Sequence, residues 1–192
     1  MIKAVIFDCF GVLTTEGYGP FRDRYINEPA DQALANQTMD DLCEGKVTYP
    51  EFLKSLAALG GVSEAETQSY LTHNRPNDTL FEYIRQIKPK YKIGMLSNAG
   101  EDWTKELFTT EDLELFDNIL LSFNIGAIKP NSIMYNTSAE RLGVANEEAV
   151  FIDDNLDYCQ GAKKTGMKAV FYKDFEQMKA ALEEVLAAGS NN

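Results

Sequence analysis

Hydrophobic residues gather in short runs set well apart along the chain. Ile2 to Phe7, Lys92 to Leu96, Ala149 to Ile152 and Lys168 to Tyr172 read as buried parallel strands, with Ile119 to Phe123 as a weaker fifth. Between them apolar positions recur at helical spacing, over about Asp102 to Phe108, Ser132 to Leu142, Leu156 to Thr165 and Asp174 to Ala188. Strand alternating with helix implies βαβ units. The expected fold is α/β, a doubly wound, mostly parallel, Rossmann-like sheet. Ligands of such sheets sit beyond the carboxyl ends of the strands.

The stretch from about Gly17 to Asn77 breaks the rhythm, with no convincing strand. It carries helix-start signals instead: Thr48-x-x-Glu51 with Pro50 between them, and Ser63-x-x-Glu66. Phe52, Leu53, Leu56 and Leu59 follow the first at helical spacing. The pattern predicts a core domain of residues 1–16 and 78–192, with a small all-helical insertion over residues 17–77 after the first strand. Connections are expected around Thr14 to Gly19 and Asn74 to Asp78, and the tail Gly189 to Asn192 is expected to fray.

The whole chain has 192 residues, enough for one core domain and a modest insertion. Its net charge of −12 and pI of about 4.5 argue against nucleic acid and anionic membranes as partners. Cys9, Cys43 and Cys159 are odd in number and widely spaced, so they read as reduced thiols. The opening apolar run stops at Asp8, too short for a signal peptide or a membrane span. A soluble, cytoplasmic protein is expected.

Three strand ends and one helix start carry candidate chemistry. Phe7-Asp8-Cys9-Phe10-Gly11 places a carboxylate where the first strand stops. An Asp there either caps a turn or faces the ligand crevice, and the local residues leave both open. Leu96-Ser97-Asn98 ends another strand on a small hydroxyl, which could bind a phosphoryl oxygen or cap the helix near Asp102. Lys129-Pro130 is expected to open the next helix, with Pro near its first turn; the Lys could neutralise an oxyanion or sit on the surface. Ile152-Asp153-Asp154 offers two adjacent carboxylates. They repel unless a cation is present, and all-oxygen donors suit Mg²⁺; the other reading is a helix cap.

Taken in order and at these separations, Asp8-x-x-Gly11, Leu96-Ser97-Asn98, Lys129-Pro130 and Ile152-Asp153-Asp154 resemble the four motifs of the haloacid dehalogenase superfamily. The helical insertion is similar to the small cap of sugar-phosphate phosphatases and of the amino-terminal domain of soluble epoxide hydrolases. The resemblance implies an Mg²⁺-dependent hydrolase of small phosphorylated metabolites. Asp8 would be the nucleophile that becomes an aspartyl-phosphate. Ser97 and Lys129 would hold the transferring group, and Asn98, Phe10 and Gly11 would border the substrate. Asp8, Asp154 and the main-chain oxygen of Phe10 would ligate the metal, with Asp153 behind them accepting from bound water. Asn98 would orient Asp8 or the substrate. Tyr158 stands where that subgroup often carries Asn.

Phe10 departs from the phosphatase pattern, which has an Asp two residues after the nucleophile. That Asp protonates the leaving group and then activates water. Two rival readings follow. Dehalogenases carry an aromatic residue here, because halide leaves without a proton, but they need no metal and tend to lack the acid pair. A binding protein that keeps the phosphate pocket is the other. His73 is expected on the surface, Trp103 and Phe108 in the core, and Cys9 buried and inert. Met178, Leu182, Val185 and Leu186 are expected to form a packing face.

Overall fold

The computed structural model describes residues 1–188, so the expected fraying at Gly189 to Asn192 lies outside the described residues. Five parallel strands form one sheet: β1 (Ala4–Phe7), β2 (Lys92–Ser97), β3 (Asn118–Leu121), β4 (Ala149–Asp153) and β5 (Lys168–Phe171). Their order across the sheet is β3-β2-β1-β4-β5, which places β1 in the centre. Side chains alternate along each strand, and the alternation feeds two cores. Val5, Phe7, Ile93, Met95, Val150 and Ile152 join one cluster, while Ala4, Ile6, Leu96, Ala149 and Phe151 join the other. Burial on both faces accounts for the near-continuous apolar runs.

The first cluster is covered by α5 (Asp78–Ile87) and α10 (Phe175–Ala188), and the second by α8 (Ser132–Leu142) and α9 (Leu156–Lys164). The expected packing face of α10 buries Met178, Leu182 and Leu186. Helix α5 was not among the expected elements. Its signal was present all the same: Leu80, Phe81, Tyr83, Ile84 and Ile87 form one buried stripe, and Asn77 Oδ1 accepts from Leu80 N at the start. The helix expected over Asp102 to Phe108 is corrected to two short pieces, α6 (Thr104–Leu107) and α7 (Thr110–Leu113). The Asp102 carboxylate accepts from both the amide and the hydroxyl of Thr104, which starts the first piece late.

Between β1 and β2 the chain forms α1 (Tyr18–Tyr25), α2 (Pro29–Cys43), α3 (Tyr49–Gly60) and α4 (Glu64–Leu71). These helices have their own buried cluster, including Phe21, Ile26, Leu42, Phe52 and Leu56. Thr48 and Glu51 form the expected capping box on α3, and Ser63 Oγ accepts from Glu66 N on α4. The two crossings lie side by side. Thr15 N donates to Arg75 O at 3.0 Å and Asn77 N to Leu13 O at 2.9 Å. The inserted helices also rest on the sheet's edge, where the buried Ser122 hydroxyl donates to Cys43 O at 2.6 Å. Among the described residues no helix is long and apolar enough to cross a membrane.

Candidate active site

Strands β1 and β4 are neighbours, so their carboxyl ends bring three acids together. Ligand atoms of Asp8, Asp153 and Asp154 lie within 4.8 Å of one another. Asp8 and Asp153 are buried, and Asp154 is exposed. Asp153 is the last residue of β4 and Asp154 the first beyond it, so the two adjacent acids stand in different surroundings.

Lys129 enters this group from the loop before α8 and is wholly buried. Its ammonium donates to Asp8 Oδ1 at 2.6 Å and to Asp153 Oδ2 at 2.7 Å. The surface reading of this lysine is thereby excluded. The Phe151 and Tyr158 rings lie 5.2 and 4.9 Å from its nitrogen. Pro130 stands ahead of α8 rather than in its first turn, and the helix is capped by Asn131 Oδ1 accepting from Ile133 N.

Asn98 holds Lys129 by its main chain, and its Nδ2 also donates to Tyr158 Oη at 3.4 Å. Asp153 accepts on both oxygens: besides Lys129 on Oδ2, it accepts from Asn155 N on Oδ1 at 2.7 Å. It therefore anchors the lysine. Ser97 is buried, with its hydroxyl 3.5 Å from Asn98 O. It lines a small hollow with Cys9 and Phe10, not the main cavity. Gly11 borders Asp154 instead of the cavity. At φ 89° it takes a left-handed conformation, and a Cβ there would lie 2.2 Å from Asp154 Oδ2.

Charge indicates what this arrangement can hold. Three carboxylates face one ammonium, which leaves two negative charges when all are ionised. Burial, then the Asp153 carboxylate, push the Asp8 carboxyl from 3.8 up to about 8, although Lys129 pulls the other way. Partial desolvation by the surrounding cavity wall, then Asp153, push Asp154 up to about 6 although its side chain still reaches solvent. Burial disfavours the Lys129 ammonium, but Asp153 and Asp8 outweigh it and hold the proton more tightly than usual. An all-oxygen donor set with an excess of two negative charges fits a hard divalent cation, and Gly11 leaves the Asp154 carboxylate its space.

A cavity of about 910 Å³ opens over these residues. Asp8, Phe10, Asn98, Lys129, Asp154 and Tyr158 belong to its wall, together with side chains of the inserted helices. Trp103 was expected in the core. It stands instead in this wall, edge-on to Tyr49 with ring centroids 5.0 Å apart. Tyr158, noted only as a departure from a motif, is a further wall residue. Cys9 is buried, its thiol pushed up by burial and by Asp8, and all three cysteines are free. His73 is exposed and bound to Ser69 O.

The family model for haloacid dehalogenase-like hydrolases matches residues 16–172. A phosphatase of Mycobacterium tuberculosis is 30% identical over 186 residues, covering 88% of this chain and 86% of the relative. The chain spans only 31% of another relative, a drimenol cyclase of Aspergillus calidoustus, at 24% identity and with 92% of this chain covered. Among solved structures, a HAD family enzyme of Bacteroides thetaiotaomicron in complex with magnesium and inorganic phosphate superposes with a TM-score of 0.70. It is 22% identical, with 91% of this chain and 98% of that chain covered. An L-2-haloacid dehalogenase of Xanthobacter autotrophicus, with chloropropionic acid covalently bound, gives 0.68 at 20% identity, covering 97% and 83%. At such identities these two likenesses show the fold alone.

Proposed function

The chain belongs to the haloacid dehalogenase-like hydrolases, and on that premise we propose that it is an Mg²⁺-dependent phosphatase that uses Asp8 as a covalent nucleophile. The observation that carries the reading is the charge imbalance: two carboxylates in excess of one buried ammonium, at the foot of a large cavity. Asp8, Asp154 and the main-chain oxygen of Phe10 would hold the ion. When bound, it offsets charge on the transferring phosphoryl group. The helices from Tyr18 to Leu71 act as a cap over that group, and the substrate is a small phosphorylated metabolite.

Lys129 fixes one Asp8 oxygen and offsets negative charge beside it. The Asp8 carboxylate attacks phosphorus. The bond to the alcohol oxygen breaks, its electron pair leaves on that oxygen, and water supplies the proton. A second water attacks the phosphorus of the aspartyl-phosphate, loses a proton, and frees Asp8 and inorganic phosphate. Phe10 gives no acid–base help in either step.

A panel of phosphorylated metabolites assayed for phosphate release, with Mg²⁺ and with excess chelator, tests the reading. Release that requires Mg²⁺ is expected. Phe10 favours one other reading, a metal-independent 2-haloacid dehalogenase. Chloride release from 2-chloropropionate in excess chelator, with no phosphate release from any ester, would replace the first reading by the second.

A further inference from the structure

The cavity holds far more than a phosphoryl group. At about 910 Å³ it lies near the top of the roughly 300–1,000 Å³ common for small-molecule sites. Its remaining wall is mainly apolar. Tyr18, Met39, Leu42 and Phe52 come from the inserted helices, and Trp103 and Leu107 from the core. The rings form a connected surface: Tyr49 touches Trp103, and Phe52 lies 6.1 Å from Tyr49 and 6.5 Å from Tyr18. The apolar surface continues outward. Leu156 and Phe171 line the cavity while 58% and 37% exposed, and large hydrophobic residues are so exposed at few places among the described residues.

The charges on the wall point the same way. Its basic side chains are Lys129 and Arg22. Lys129 is held by Asp8 and Asp153, and Arg22 by Asp23 and Asn36. Glu16, Asp40 and Glu106 also line the cavity. A second phosphate or a carboxylate on the substrate would meet three acids and no uncommitted cation. The Tyr18 hydroxyl donates to Asn36 Oδ1 at 2.8 Å and the Thr72 hydroxyl to Gln68 O at 2.9 Å. The Tyr49 hydroxyl and Asn74 Oδ1 have no partner among the described residues but are themselves buried, so the wall presents few polar groups to a sugar's several hydroxyls.

We infer that the substrate's alcohol part is uncharged and predominantly apolar, so that the site prefers monophosphates of apolar alcohols to sugar phosphates and bisphosphates. The inference rests on the phosphatase reading above. The reaction is that of any monoester: the P–O bond to the alcohol breaks, and water supplies the alcohol's proton and the new oxygen on phosphate.

The test compares kcat/KM of the intact protein with Mg²⁺ for hexyl phosphate, glycerol 3-phosphate and ribose 5-phosphate. All three are primary alkyl esters, so leaving-group chemistry differs little. The ratio kcat/KM also excludes slow release of phosphate from Asp8. Hexyl phosphate should exceed the other two by at least about tenfold, or about 1.4 kcal/mol, which burying about two methylene groups provides. Trp103→Ala and Met39→Glu should each shrink that ratio, chiefly through KM for the hexyl ester. Glycerol 3-phosphate or ribose 5-phosphate turned over as well as hexyl phosphate overturns the substrate class and leaves the phosphatase reading standing. A preference that neither variant moves overturns the assignment to this cavity. Phosphate release from none of the esters, nor from p-nitrophenyl phosphate, whose leaving group needs no proton, in folded protein with Mg²⁺, removes the phosphatase reading and this inference with it.

Discussion

Asn98 grips the Lys129 peptide from both sides: its Oδ1 accepts from Lys129 N at 2.8 Å and its Nδ2 donates to Lys129 O at 3.2 Å. The lysine's charge is thus placed by main-chain bonds reaching from the end of β2, not by its own loop alone. Asn98→Ala removes both. Displacing a group by about 1 Å typically costs on the order of 10²-fold in rate, and a loss of that size in kcat/KM is expected with the fold retained. Asn98→Asp should recover part of it, since one acceptor oxygen survives. A folded Asn98→Ala variant with unchanged kcat/KM would show that Lys129 needs no such grip.

Removing Lys129 and removing Asp8 should have opposite effects on stability. Lys129→Met leaves Asp8 and Asp153 facing each other without their shared cation. Breaking a buried pair in this way costs about 3–5 kcal/mol. Asp8→Asn relieves repulsion instead, because the Asp8 carboxyl is already pushed up by burial and by Asp153. That variant should lose turnover and form no acyl-phosphate, yet unfold at a denaturant concentration no lower than the parent's in metal-free buffer near pH 8. Equal destabilisation by both changes would contradict this account. An Asp8→Asn sample that turns over at the parent's rate, once checked for reversion to Asp, would end covalent catalysis at this residue.

The same shifts set a pH dependence. In the folded protein Asp8 and Asp154 are raised from 3.8 to about 8 and about 6. A raised carboxyl contributes stability that is complete below its unfolded value and is lost as pH climbs through the folded one. Metal-free protein should therefore lose stability from this site between about pH 4 and about pH 8. A divalent cation competes with those protons and favours the ionised acids, so its stabilisation should grow over the same window. Melting temperatures in chelator and in excess Mg²⁺, from about pH 5 to about pH 9, should diverge as pH rises. A gap that narrows would be the wrong sign.

Gly11→Ala tests the fit of the cation. The added Cβ would lie 2.2 Å from Asp154 Oδ2, on a backbone at φ 89°. The left-handed conformation alone costs a non-glycine residue roughly 1–2 kcal/mol. The carboxylate must also move, and disturbing a metal ligand's surroundings typically costs about 10–100-fold in affinity. Calorimetric titration should show Mg²⁺ binding weakened to that extent. Unchanged affinity would remove Asp154 from the ligand set.

The sheet was legible because strands buried on both faces become apolar runs, and α8 matched its expected bounds because Asn131 and Gly143 punctuate it. Helix α5 was equally legible but overlooked, its stripe from Leu80 to Ile87 coming straight after a connection. The site was legible as a set of strand ends. The division of labour within it was not. Two adjacent acids look alike in sequence, and only the point where β4 ends decides that Asp153 is buried against Lys129 while Asp154, just past the strand, stays exposed. Trp103 illustrates a different limit. An aromatic residue between elements is equally suited to a core or to a cavity wall, and the approach of Tyr49 from a distant helix decides which.

Phe10 is the position where chemistry and shape meet. It lines the cavity, half-buried, two residues from Asp8. It can neither give nor take a proton. Aryl and acyl phosphates, whose leaving groups need no proton, should therefore react with little hindrance, and alkyl phosphates slowly. Sugar phosphates that leave from the anomeric carbon have a more acidic hydroxyl and should fall between. The second step also lacks a base, so a burst of alcohol followed by slow turnover is expected. Phe10→Asp restores a carboxylate at that spacing. General acid–base catalysis is typically worth about 10²–10⁴-fold, and turnover of alkyl phosphates should rise by at least about tenfold even if the new carboxylate is imperfectly aligned. The same change removes an apolar surface, so KM for apolar esters should rise while kcat improves. Rates across esters of graded leaving-group pKa, for the parent and the variant, separate the two effects. A parent that hydrolyses alkyl and aryl phosphates equally well, with a folded Phe10→Asp variant that gains nothing, would mean that another group already does this work.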